Sequence, residues 1–159
     1  MRTTKQMNLT FTHDQLTPET IANILNSAYI TTELHAYGED KQNQFEVAQA
    51  TLDNRTFQVV AANKDDILFR SYIIFDKKYN EKTLRNAANF LGTYSVGSSY
   101  ITKYENGNHC MSFQCNHIIP EDETISAAYL VKLTRYFVKE LNCHLMNWQA
   151  IENCVSLNS

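Results

Sequence analysis

Histidine and cysteine crowd together at three places in the chain: His109-Cys110, Cys115-x-His117 and Cys143-His144. Thiolates and imidazoles are the usual ligands of zinc, so a metal site is the first chemistry they raise. Strand geometry argues against it. On one strand Cys115 and His117 share a face about 7 Å apart, whereas His109 lies roughly 20 Å from Cys115 at about 3.3 Å per residue. Cys110 points the other way. This segment supplies two ligands at most, and a structural zinc needs four. Cys143 and His144 would have to complete the set from the final helix. The expectation is no metal and no cofactor. The alternative is a small-ligand or metal-binding protein using Cys115, His117 and that helix.

A Cys–His nucleophile would use the same residues, but it needs a thiol activated by a base and exposed in a cleft. Cys115 is expected among Tyr100, Met111 and Phe113, an apolar setting that raises a thiol's pKa. No P-loop, GxGxxG, HExxH or GxSxG occurs, so nucleotide, zinc-protease and hydrolase readings lack their usual support. Lys132, Arg135 and Lys139 form a basic stripe, with Lys77 and Lys78 elsewhere. Three charges along one helix face read as a solvated face beside Glu140. The nine tyrosines and eight phenylalanines read as core or protein interface before base stacking. The expectation is no enzyme and no nucleic-acid binder.

The bulk properties agree. A chain of 159 residues, 43% hydrophobic and 19% charged, fits one soluble domain with a real core. A net charge of −3 gives no general pull toward nucleic acid or anionic lipid. MRTTKQMNLTF lacks the apolar run of a signal peptide, and no span reaches membrane-crossing length. Four irregularly spaced cysteines without an export signal read as reduced thiols, which places the chain in a cytoplasm.

The elements that must position these residues follow from pattern. Residues 1–16 read as a loosely ordered tail, 17–152 as the domain and 153–159 as a second tail. Thr17, Pro18 and Glu19 start a helix as cap, first-turn proline and dipole-matched acid, with Ile21, Ile24, Leu25 and Ala28 on its buried face. A further strand over Ile30 to Tyr37 is consistent with the sequence. Phe45 to Leu52 and Thr56 to Ala61 flank Asp53-Asn54 as a hairpin. In the second of these and in Ile67 to Phe75 the odd positions face inward. Asn80 caps a helix over Glu81 to Gly92, which Gly92 ends in a left-handed conformation. Asn106-Gly107 predicts a two-residue type I′ turn. That turn pairs Tyr104 with His109, Thr102 with Met111, Tyr100 with Phe113 and Ser98 with Cys115, all on one face. Lys103, Ser112, Gln114 and Asn116 then lie on the wetter face.

A long helix is expected from about Asp122, with Glu121, Asp122 and Glu123 around its first turn. Leu130, Leu133, Phe137, Leu141, Leu145 and Trp148 form its buried stripe, and Ala127, Val131, Thr134 and Val138 widen it. Tyr129 and Tyr136 widen the other side. This arc exceeds the roughly 100° that a helix lying on one sheet needs. Either the first helix or a second subunit covers the surplus, and the arc as a whole points to a partner.

The order of elements resembles the YbjN family, bacterial proteins labelled as candidate sensory transduction regulators and similar in fold to class I type III secretion chaperones. The matching text runs from about Arg55 to Trp148: FRSYIIF, LRNAANFLG, YITKYENGNHCMSFQC and AAYLVKLTRYFVKEL. Asn89 matches the first asparagine of the family's Asn-x-x-Asn helix ending, whereas Gly92 stands in place of the second. The resemblance implies an α+β interaction domain, often dimeric, with no established catalytic residues. For the chaperones it implies an extended client bound across apolar grooves.

The sequence thus predicts an α+β domain with an antiparallel sheet of about five strands, helices on one face and the order α-β-β-β-α-β-β-α. It is expected to be a non-catalytic interaction domain, regulatory or chaperone-like, that binds a protein partner as a homodimer. Tyr129, Tyr136 and Trp148 are the expected interface anchors, because large amphipathic rings carry disproportionate binding energy.

Overall fold

The computed structural model describes residues 7–38, 44–63, 65–75, 80–92, 96–103 and 108–156. It is α+β. Among these residues, eight strands and three α-helices follow one another as β1 (Thr10–Phe11), α1 (Pro18–Ser27), β2 (Thr31–Tyr37), β3 (Phe45–Leu52), β4 (Arg55–Ala62), β5 (Asp66–Ile74), α2 (Glu81–Gly92), β6 (Ser98–Lys103), β7 (His109–Ile118), β8 (Ile125–Ser126) and α3 (Ala127–Ser156), with a 3-10 turn at His13–Gln15 after β1. Six strands form one sheet in the order β2-β3-β4-β5-β7-β6, and β1 pairs with β8 in a separate ribbon. The strand at 31–37 brings the main sheet to six members instead of about five. The chain packs as two compact units, Met1–Phe69 with Asn116–Val138 and Arg70–Cys115 with Lys139–Ser159.

In the first unit α1 forms as its sequence dictates. Thr17 Oγ1 accepts from the Thr20 amide at 3.2 Å, Pro18 needs no donor, and Ile21, Ile24 and Leu25 are buried. The helix packs on β2, β3 and β4. It ends with Tyr29 at φ 63°. The amides of Tyr29 and Ile30 donate back to Asn26 and Leu25, both at 3.0 Å, the paired bonds of a Schellman ending. Asp53 and Asn54 sit at φ 51° and 59°, as a type I′ turn requires. They close the β3–β4 hairpin in the register Leu52↔Arg55. Phe57, Val59, Ile67 and Phe69 are all buried, so the inward odd positions of β4 and the start of β5 are as expected. Phe137 of α3 lies 5.4 Å from Phe57 and 5.7 Å from Phe69, ring to ring.

The stretch read as an N-terminal tail is hydrogen-bonded over its second half. Thr10 and Phe11 pair with Ser126 and Ile125. His13 Nε2 lies 3.2 Å from the Ala62 carbonyl and 3.0 Å from that of Asp66, and Leu16 is buried. Strand β8 also displaces the start of the last helix from Asp122 to Ala127. Ser126 caps it, its Oγ accepting from the Tyr129 amide at 3.1 Å. The acids 121–123 therefore belong to the connection before the helix, not to its first turn. At the other end α3 continues to Ser156, into the stretch read as a C-terminal tail.

In the second unit Asn80 Oδ1 accepts from the amides of Lys82 and Thr83 at 2.9 and 3.4 Å, the expected cap of α2. Gly92 is the last helical residue, and Gly38 is the one described glycine at positive φ. The left-handed ending expected at Gly92 is thus absent. Leu84, Ala87, Ala88 and Leu91 pack with Phe75, Ile101, Met111 and Trp148.

The β6–β7 register differs from the expected one by one residue. Ser98 pairs with Gln114, Tyr100 with Ser112, Ile101 with Met111 and Lys103 with His109. A one-residue slip exchanges the two faces of a strand. Ile101 therefore faces inward with Met111, and Tyr100 is 42% exposed. Ser112, expected on the wet face, is fully buried. The register sum is odd for a two-residue turn at 106–107 and even for the observed pairing. The turn and Tyr104 themselves lie outside the described residues.

Candidate interaction site at the start of the last helix

Two of the expected anchors, and one of the two residues named for the metal alternative, belong to the first unit. Strand β7 carries His117 and Ile118 to its end. A short connection through Pro120 then returns to α3, where Tyr129 stands one turn in. The ring of Tyr129 meets that of His117 edge-on, 5.5 Å between centroids at 70°, a favoured aromatic geometry. Together with Ile118, Glu123 and Thr124 they line a groove of about 330 Å³. Its floor is apolar: Ile119 and Ile125 are buried. Ile119 is held there by its amide, which donates to the Asp65 carbonyl at 2.7 Å. Ile118 is 64% and Tyr129 45% exposed.

Tyr136 lies seven residues beyond Tyr129, hence on the same helix face, and is 49% exposed. Lys132 and Arg135 are exposed beside it. Trp148 is different. It is 7% exposed, and its ring packs at a 42° tilt against Phe75, 4.9 Å between centroids, so its place is the core of the second unit. The 3.6-residue period that put Trp148 on the stripe was sound. Its reading as an anchor overlooked that the same stripe buries it.

Cys115 belongs to the second unit and His117 to the first. Among the described residues no three His, Cys, Asp or Glu side chains converge on a point where a metal could sit. Burial pushes the Cys115 thiol up to about 11, and the Glu140 carboxylate adds to the rise. Tyr100, expected beside it, pairs with Ser112 and so lies on the opposite face of the sheet. A thiol so placed is a poor nucleophile at neutral pH.

The sequence reading missed Ser99. Its Oγ lies 3.0 Å from His144 Nε2, the spacing of a nucleophile and its base. Three features remove the resemblance to a catalytic pair. His144 is 1% exposed, and its ring is stacked on Phe113 at 4.3 Å. Burial pushes its pKa down to about 4, so it is a weak base. Its Nδ1 finds no acceptor or donor, so nothing orients the ring as a third member would. Gly97 closes this corner: a Cβ there would lie 2.5 Å from the Gln114 carbonyl and 2.7 Å from the Phe113 ring. No local signal could have paired Ser99 with His144, 45 residues apart. The groove had one, since Pro120 and three acids between strand and helix mark an exposed connection.

The groove and the outer face of α3 sit on an α+β scaffold, and that scaffold is similar in fold to YbjN. The crystal structure of YbjN from E. coli, described there as a candidate transcription regulator, superposes with a TM-score of 0.62 at 8% identity, covering 84% of this chain and 92% of that one. At that identity the likeness is one of fold. No family model matches the sequence, and no curated protein matches it. No helix among the described residues is long and apolar enough to cross a membrane.

Proposed function

We propose that this chain is a non-catalytic protein–protein interaction domain, regulatory or chaperone-like, that works in the cytoplasm as a homodimer and holds a protein partner through apolar surface. The observation that carries this is the pair of half-exposed tyrosines, Tyr129 and Tyr136, on one face of α3 beside an apolar groove. Large rings held on a rigid helix contribute binding energy at low entropic cost. The chemistry that could compete is subdued: one thiol with a raised pKa, one imidazole with a lowered one. The YbjN-like fold supports a regulator or adaptor.

The test is self-association of the full chain followed by light scattering, with Tyr129→Ala and Tyr136→Ala beside the wild type. Loss of each ring is expected to weaken the dimer by about 2 kcal/mol. Circular dichroism should be unchanged, since both side chains are half-exposed. A wild type that stays monomeric, or a dimer indifferent to both substitutions, contradicts the assignment of this surface. Metal analysis of protein purified without added metal addresses the alternative built on Cys115 and His117. Stoichiometric zinc lost in Cys115→Ser/His117→Ala would favour it.

A further inference from the structure

The first unit carries two surfaces complementary to each other. One is the groove: apolar at its floor, walled by His117 and Tyr129, and rimmed by Glu123. Glu121 and Asp122 precede Glu123 in the same connection outside the groove's lining, and all three carboxylates are exposed. None of them has an ion-pair partner among the described residues. The other surface is the outer face of α3, where exposed Arg135 adjoins half-exposed Tyr136. An aromatic ring next to a guanidinium is the chemistry that suits an acid-rimmed apolar groove. The two surfaces lie on one rigid helix and its entry loop, too close in sequence for the chain to fold one onto the other.

A two-fold dimer brings a patch against its own copy, so a knob and a socket within one patch satisfy each other twice. Tyr129 lies between them in the chain, six positions after Glu123 and six before Arg135. Two α3 helices crossing antiparallel at Tyr129 set the acidic entry loop of each copy against Arg135 and Tyr136 of the other. The groove, about 330 Å³, is at the small end for ligand pockets and suits a single large side chain.

We propose that the chain pairs with a second copy of itself through the start of α3, Tyr136 of each copy entering the groove beside Tyr129 of the other and Arg135 facing the Glu121–Glu123 carboxylates. This rests on the interaction-domain reading above and specifies its partner and register. A basic, aromatic segment of another protein would fit the groove by the same chemistry. The second copy is favoured because this chain carries both halves of the match.

Sedimentation equilibrium of the full chain distinguishes these. The variants are Arg135→Glu and the triple change Glu121→Lys, Asp122→Lys, Glu123→Lys, each checked for folding by circular dichroism. Each alone places like charges at both contacts and is expected to weaken the dimer at least about tenfold. An equimolar mixture of the two places opposite charges at both contacts and is expected to recover the wild-type association. Tyr136→Ala, which alters no formal charge, is expected to weaken it too. A wild-type dimer that neither charge variant weakens overturns this register while leaving the interaction-domain reading in place. So does a pair of weakened variants whose mixture fails to recover. A wild type that is monomeric overturns the register and the homodimer together.

Discussion

Lowering the pH from 7 to 5 should destabilise this protein through His144 in particular. The ring is buried to 1% exposure, stacked on Phe113 at 4.3 Å, and has one hydrogen-bond partner, Ser99 Oγ at 3.0 Å. Burial lowers its pKa from 6.5 to about 4. Between those values the unfolded chain binds a proton that the folded chain refuses, so stability falls as pH falls through 6.5 and the loss is complete below 4. The whole shift corresponds to about 3 kcal/mol, of which about 2 kcal/mol is reached by pH 5. Carboxylates titrate in the same range, so the measurement is a difference. Urea unfolding of wild type and His144→Phe, at several pH values from 7 to 5, isolates this one ring. The variant loses the bond to Ser99 and starts less stable at pH 7. Its stability should then decline less steeply, closing the gap by about 2 kcal/mol at pH 5. Parallel curves would refute the argument, because they would mean that the imidazole takes up its proton in the folded state.

Two further outcomes follow from single residues. Cys115, with its pKa pushed up to about 11, should remain unmodified by iodoacetamide at pH 8 while exposed Cys143 reacts, as read by mass spectrometry of peptides. Alkylation of Cys115 at the rate of Cys143 would contradict its burial. Tyr29 holds a left-handed φ of 63° with its ring 89% exposed, a conformation that costs a non-glycine residue about 1 kcal/mol. Tyr29→Gly should therefore raise stability by up to about 1 kcal/mol in urea unfolding, and a destabilised variant would show that the ring makes contacts worth more than the strain.

Local chemistry made much of this fold legible. Thr17-Pro18 announces α1, Asp53-Asn54 announces its hairpin because both residues tolerate positive φ, and alternation assigns Phe57, Val59, Ile67 and Phe69 to the core. The features that escaped depend on distant partners. Strands β1 and β8 are two residues each, too short to show alternation, and exist because they pair with each other across the chain. The β6–β7 register was inferred from one turn signal, and a single-residue slip moved Tyr100 from the core to the surface. The site was half legible. Tyr129 and Tyr136 stand out by spacing, but exposure separates them from Trp148, and a helical period carries no information on depth. Ser99 and His144 meet only because an edge strand and the last helix converge within one unit. The order of elements, with segments such as FRSYIIF and LRNAANFLG, anticipated the YbjN-like fold, although identity to the superposed structure is 8%.

If the outer face of α3 is an interface and not bare surface, the chain associates in solution. Molar mass in solution over a range of concentrations tests it most directly. Wild type is expected at twice the 18.3 kDa of one chain, and Tyr136→Glu is expected to return toward 18.3 kDa with its helical signal intact. A wild type that holds the mass of one chain up to about 100 μM, a dissociation constant weaker than about 5 kcal/mol of association, would contradict it.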